Sequence, residues 1–296
     1  MSFTKRKIDK LDNERRKEEK NFISKKEYKL IKQEDNLITK DNTLIQKSKF
    51  NLTLNEMKCI NYAISKLQPN KMISENDYLE IDIKELCDIM KIEKEGANYE
   101  YIRDCYKTLN DKSKWIKIND KGDELNFKYV MKVIANKNTG IIKIKFMQEM
   151  LDMLTNLHTQ FTAYELYYSI ILKSKYSLRL YEECKSWKAQ GSFNLYIESI
   201  KNRWCISQKM KYGNIKQKII TPSIDEINNN TDIHIDYVEH KNGKKVDYLF
   251  IKISDNQISK VYNQANERRK KKKGYNYKIT DYVDENNVMH PTPINE

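Results

Sequence analysis

Residues 199–221 read SIKNRWCISQKMKYGNIKQKIIT and hold Lys201, Arg203, Lys209, Lys211, Lys216 and Lys218 without a single carboxylate. Cations interleaved with aromatics, here Trp204 and Tyr212, have the composition of a surface that meets phosphates. A solvated polar face is the plainer alternative for such a run. A helical wheel sharpens the picture. At 100° per residue, Ile215, Ile219, Ile220, Ile224 and Ile227 share one half, and Asn214, Gln217, Lys218 and Thr221 lie opposite. Asn and Gln can bond adenine bidentately, Lys can bond guanine, and a threonine methyl can touch thymine. Lys216 lies nearer the apolar half, where it would reach a phosphate from the flank. Lys209 and Lys211 precede the helix and would stand at a groove edge. Pro222 removes one backbone donor, so the helix is expected to bend there or to restart, which would end the reading face near Thr221. Downstream, Lys241, Lys244 and Lys245 surround Asn242-Gly243, a strong signal for a tight hairpin turn. Such lysines either serve solubility or form a wing tip that reaches the neighbouring backbone or minor groove.

Other chemistries find little support. The five cysteines, Cys59, Cys87, Cys105, Cys184 and Cys205, form no CxxC pair. They read as small buried hydrophobes in a reducing cytoplasm, with no zinc cage or disulfide framework. The four histidines are not spaced as metal ligands, and a strand-borne His pair of the kind a nicking nuclease needs is missing. Neither a Walker phosphate loop nor GxGxxG occurs. Glu80-x-Asp82-x-Lys84 faintly resembles a nuclease cluster, but its alternation with Leu79, Ile81 and Ile83 reads more simply as a half-buried strand. The expectation is a protein that is not an enzyme and carries no metal or cofactor.

The chain has 296 residues and a net charge of +13. It contains no apolar run long enough for a membrane span, and its charged start lacks the hydrophobic stretch of a secretory leader. A cytoplasmic location is expected. The charge is unevenly placed. Residues 1–36 carry +4 and residues 256–296 carry +3, the latter including the run Arg268–Lys273. These read as charged arms, either merely solvated or adding general attraction to nucleic acid. Residues 37–160 are nearly balanced at +2, and residues 161–255 carry +4.

Patterning between the arms suggests two units. In 37–160, Leu54, Met57, Ile60 and Ile64 define a helix over 53–67, with Thr53 and Glu56 as its capping box. A strand at 78–83 and helices at 83–91 and 98–110 follow. Runs at 114–118, 125–135 and 141–146 read as a β-meander, and a helix at 147–156 closes the unit. In 161–255 a long helix is expected over 162–189, then helices at 195–205 and 213–229, then a hairpin of 233–238 with 246–251. Helices followed by strands, twice over, predict an α+β chain of two tandem winged-helix domains.

Several strings carry a resemblance. They are LIQKSKFNLTLNEMKCINYAISKL from Leu44 to Leu67, SKYSLRLY from Ser174 to Tyr181, Ile215-Lys216 through Pro222 to Asp225-Glu226-Ile227-Asn228, Thr231-Asp232, and the hairpin at Asn242–Val246. In this order they resemble the initiator replication proteins of iteron plasmids, the tandem winged-helix initiators. The resemblance covers about 37–253 and leaves both arms without a role. It implies that the first winged helix serves dimerisation and backbone contacts, and that the second binds repeated DNA sites most specifically. It also implies opening of an A·T-rich segment, recruitment of a host helicase with its loader or initiator, autorepression, and a monomer–dimer equilibrium. Arg179 would be structural or phosphate-contacting, with pairing to Glu182 or Glu183 as the alternative, and Lys175 stays equally open. A winged-helix transcription regulator unconnected with replication is the competing reading.

Overall fold

The computed structural model describes residues 37–67, 78–93, 96–117, 123–136, 139–155, 160–256, 282–283 and 289–290. The arm at 1–36 and the run Arg268–Lys273 lie outside the described residues, as does nearly all of the tail from 257 onward.

The first module starts with β1 (Leu37–Asp41), α1 (Asn42–Gln46) and β2 (Ser48–Lys49). Helix α2 (Leu54–Ser65) begins where expected, because Thr53 and Glu56 exchange both bonds of a capping box. Its inward face buries Met57, Ile60 and Ile64. After β3 (Leu79–Asp82), the Asp82 carboxylate accepts from the amides of Lys84 and Glu85 and caps α3 (Ile83–Met90). Lys91, at φ 55°, ends that helix in the left-handed region. Helix α4 (Gly96–Asp111) packs Ile102, Tyr106 and Leu109 inward, and the Tyr106 hydroxyl donates to the Cys59 carbonyl at 2.9 Å.

The expected meander is divided between two sheets. β4 (Ser113–Lys117) and β5 (Glu124–Lys128) form one sheet with β2, in the order β2-β4-β5. β6 (Val130–Ala135) and β7 (Ile141–Phe146) join β3 in the order β3-β7-β6. The run at 125–135 therefore changes sheets at Tyr129, whose side chain is buried. Unbroken alternation of apolar residues cannot reveal such a switch, because both strands keep a period of two.

Helix α5 (Gln148–Thr155) leads to β8 (Phe161–Glu165), which pairs antiparallel with β1 from Leu37↔Glu165 to Asp41↔Phe161. The expected boundary between residues 160 and 161 thus has its second-unit side hydrogen-bonded to the first strand of the first unit. The expected long helix over 162–189 is three elements: β8, α6 (Leu166–Ile171) and α7 (Lys175–Ser186). Leu172 is extended, and the Ser174 hydroxyl accepts from the Tyr176 amide to start α7 afresh.

Beyond α7 come β9 (Ser192–Tyr196), which takes the first two residues of the helix expected over 195–205, and α8 (Ile197–Arg203). Next come α9 (Tyr212–Ile215), a π-helical turn (Lys216–Ile220) and α10 (Thr221–Asn230). The hairpin of β10 (Ile233–Asn242) and β11 (Lys245–Asp255) pairs with β9 in the order β10-β11-β9. A short pair, β12 (Tyr282–Val283) with β13 (Met289–His290), lies in the tail. The buried apolar side chains form one cluster from Ile38 to Ile251, so both modules share a continuous core. Four cysteines are buried as expected, but Cys205 is exposed, at φ 54° just beyond α8.

Candidate nucleic-acid interface

The segment from Tyr212 to Asn230 keeps helical backbone angles through both of its joins, at Lys216 (φ −56°, ψ −55°) and Thr221 (φ −57°, ψ −52°). It does not restart at Pro222. Instead, the Thr221 amide donates to the Lys216 carbonyl five residues back. Pro222 explains the wide turn. It has no N–H for the Lys218 carbonyl, and its ring would press on that carbonyl in a regular helix. A π turn relieves the crowding and adds one residue to the winding.

The two faces divide as the wheel expects. Ile215, Ile219, Ile220, Ile224 and Ile227 are buried, and Asn214, Gln217, Lys218 and Thr221 are exposed. Asn228 bolts the helix to the wing: its side chain donates to the Ile235 carbonyl at 3.0 Å and accepts from the Ile235 amide at 2.7 Å. Asn256 donates to the Asn228 carbonyl at 2.6 Å. Asp232 receives the Tyr181 hydroxyl at 2.9 Å and Lys185 at 2.7 Å, which anchors the start of the wing to α7. Burial works against the Asp232 charge, but Lys185 and Tyr181 outweigh it and hold the carboxyl below its usual range.

Lys216 and Tyr212 are scaffold as much as surface. Lys216 Nζ lies 2.6 Å and the Tyr212 hydroxyl 2.7 Å from Glu239 Oε1 on β10. The hydrogen bond from Lys216, and then that from Tyr212, lower the Glu239 carboxyl, and the same carboxylate raises the lysine. Burial first, and Glu239 second, push the Tyr212 phenol up. Glu239 was not legible as a functional residue, because it lies 23 positions beyond Lys216 and only strand register brings it back.

The hairpin tip exposes Lys241, Lys244 and Lys245. Asn242 pairs with Lys245, so the turn is centred on Gly243-Lys244, one position later than expected. Gly243 has φ 61° and Lys244 has no positive φ, which fits a II′ turn. A register shift between His240 and Lys241 re-aims the tip.

Two expected contact residues are corrected. Arg203 is buried, with Nη1 2.7 Å and Nη2 3.0 Å from the two oxygens of Glu183, and its Nε donates to Ser199 at 3.0 Å. A guanidinium so bound has no face left for DNA. Arg179 is also buried. It donates to the Phe50 and Ser48 carbonyls at 3.1 Å each, and its guanidinium carbon stands 3.8 Å from the Phe50 ring centre. It therefore joins α7 to β2 and the link between β2 and α2, and pairs with neither Glu182 nor Glu183. Burial pushes it down to about 10, which leaves it charged near neutrality. Lys175 is half-buried and donates to Asn51 of the same link at 3.1 Å. In the acid-free stretch, Lys201, Arg203 and Lys216 are paired with Glu198, Glu183 and Glu239, and Lys209, Lys211 and Lys218 are exposed.

Residues 37–185 match the family model of the initiator replication protein WH1 domain, and residues 196–253 match that of the initiator Rep protein WH2 domain. The chain belongs to the initiator replication protein family. Its winged-helix modules are thus the WH1 and WH2 domains of that family, and it is a replication initiator by membership. Among solved structures, the Pi initiator protein in complex with iteron DNA aligns with a TM-score of 0.62 at 17% identity, over 76% of this chain and 99% of that one. Domains 2 and 3 of RctB align with a TM-score of 0.40 at 8% identity, over 70% of this chain and 83% of that one. Among the described residues, no helix is long and apolar enough to cross a membrane.

Proposed function

We propose that this initiator binds repeated double-stranded sites in a plasmid origin through WH2, with Asn214, Gln217, Lys218 and Thr221 meeting base edges in the major groove. The observation that carries this reading is the clear division of one helix. Its isoleucines are buried, its polar and basic face is exposed, and Glu239 fixes its angle to a lysine-tipped wing. Lys209, Lys211, Lys241, Lys244 and Lys245 would supply phosphate contacts, so affinity falls steeply with salt. The Pi initiator, which shares the fold, was crystallised with iteron DNA, and that likeness supports repeats as the target.

On this reading, binding energy and oligomerisation open an adjacent A·T-rich segment, and a host helicase with its loader or initiator is recruited there. The protein represses its own promoter as a dimer and acts on the repeats as a monomer. It makes and breaks no covalent bond. Deleting the gene should abolish maintenance of its own replicon. Survival of the replicon would point to the transcription-regulator reading instead. Supercoiled origin DNA incubated with the protein and magnesium should stay uncut, and nicking lost on replacing a tyrosine would make it an enzyme.

A further inference from the structure

A cavity of about 30 Å³ lies inside WH1, between α7 and the elements before it, with Lys40, Asn61, Lys114, Tyr129, Arg179 and Glu182 among its lining residues. Three of these side chains are cations and one is a carboxylate. Glu182 is already engaged, because its Oε1 accepts from Lys40 at 2.8 Å, from Asn61 at 3.0 Å and from the Tyr164 hydroxyl. Arg179 spends two nitrogens on the Phe50 and Ser48 carbonyls.

Lys114 is different. It is 4% exposed, and its Nζ stands 4.5 Å from the ring centres of both Phe50 and Tyr129. Among the described residues it makes no hydrogen bond or ion pair. The Tyr129 hydroxyl is buried too, also without a hydrogen-bond partner. Ring faces attract an ammonium but cannot accept its N–H bonds in full, and a buried charge needs a counter-charge or must lose its proton. Two donors in one cavity, beside two further cations, call for an acceptor that carries negative charge. The volume admits one or two bodies the size of water, which excludes nucleotides and other large anions.

We propose that this cavity binds a small monovalent inorganic anion of halide size, held by Lys114 and the Tyr129 hydroxyl in the field of Lys40 and Arg179. Its lining comes from β1, α1, α2, β4, α5 and α7, with the links between β2 and α2 and between β5 and β6, all within WH1. The anion therefore sits inside WH1 and ties the packing of α7 on that domain to the salt present, apart from any screening of DNA contacts. The competing state is a neutral Lys114. Burial first, then Lys40 and Arg179, push this ammonium well below the usual lysine range. A neutral amine would have no use for an anion.

The test is thermal unfolding of the full chain without DNA, in sodium chloride or bromide against sodium gluconate at matched ionic strength. The expected result is a saturable, halide-specific rise in Tm of about 2–4 °C. Lys114→Met should abolish the rise. Tyr129→Phe, which keeps the ring, should raise the half-saturating halide concentration about tenfold. The exposed Lys107→Ala should keep the wild-type response. Crystals grown in bromide should show an anomalous peak beside Lys114 Nζ. Equal melting in halide and gluconate would overturn the proposal, as would a halide rise that Tyr129→Phe leaves unchanged.

Discussion

Lys216, the first residue of the π turn, and Glu239, on the wing strand β10, are joined at 2.6 Å, and the Tyr212 hydroxyl shares the same carboxylate oxygen. One carboxylate thus sets the angle between helix and wing. Glu239→Gln is expected to free Lys216 for phosphates. Nonspecific affinity should rise, the salt dependence should steepen by about one counterion, and specific affinity should fall as the wing loosens. Filter binding on specific and random duplexes across a salt series measures all three.

Arg203→Ala should act on folding. It strands the buried Glu183 carboxylate, a loss of roughly 3–5 kcal/mol when one partner of such a pair is removed. Chemical denaturation should show this loss. At temperatures where the variant stays folded, its active fraction should bind DNA as the wild type does, unlike a variant lacking a contact residue.

Lys58 gives a pH signature. It is half-buried on α2, and burial pushes its ammonium down to about 8, with Glu226 opposing and Lys173 assisting the drop. The unfolded chain holds this proton up to about pH 10.5, so between about 8 and 10.5 it binds more protons than the folded one. Stability contributed by this site therefore rises with pH across that window, and the full penalty is felt below it. Lys58→Met should stabilise the protein at pH 7 by about 1–2 kcal/mol, with the gain shrinking towards pH 10. Denaturation midpoints at pH 7, 9 and 10 check the trend.

Pro222→Ala restores an N–H for the Lys218 carbonyl and allows a regular α-helix. Removing the extra residue of the π turn would rotate Asn214–Lys218 against Thr221 by about 100°. Specific affinity should fall at least about tenfold, and stability should fall with it, because the same rotation turns the buried Ile215 out of the core and parts Lys216 from Glu239. Gel shifts paired with thermal melts measure both.

Much of this was legible because short-range physics carried it. Thr53 and Glu56 announced α2, Asn242-Gly243 announced the hairpin, and the isoleucine spacing of 215–227 announced which side of the helix faces out. What escaped depends on distant partners. Arg203 and Lys218 stand in the same acid-free stretch, and only the fold reveals that Glu183 claims the first. The polar segment around Leu172 and Ser174 hid a helix break inside an apolar pattern, and Tyr129 hid a change of sheet inside a regular alternation. The strings that carried the resemblance proved largely architectural: Ser174 caps α7, Arg179 holds β2 and the β2–α2 link, and Asp232 anchors the wing.

The central claim is that the exposed face of the WH2 helix reads DNA sequence, and Lys218→Ala tests it most directly. Competitive gel shifts would compare the variant with the wild type on an origin repeat and on a random duplex of equal length. The account predicts a loss of about ten- to a hundredfold on the repeat, with a much smaller loss on random DNA. Equal losses on both duplexes would make Lys218 a phosphate contact and contradict the claim.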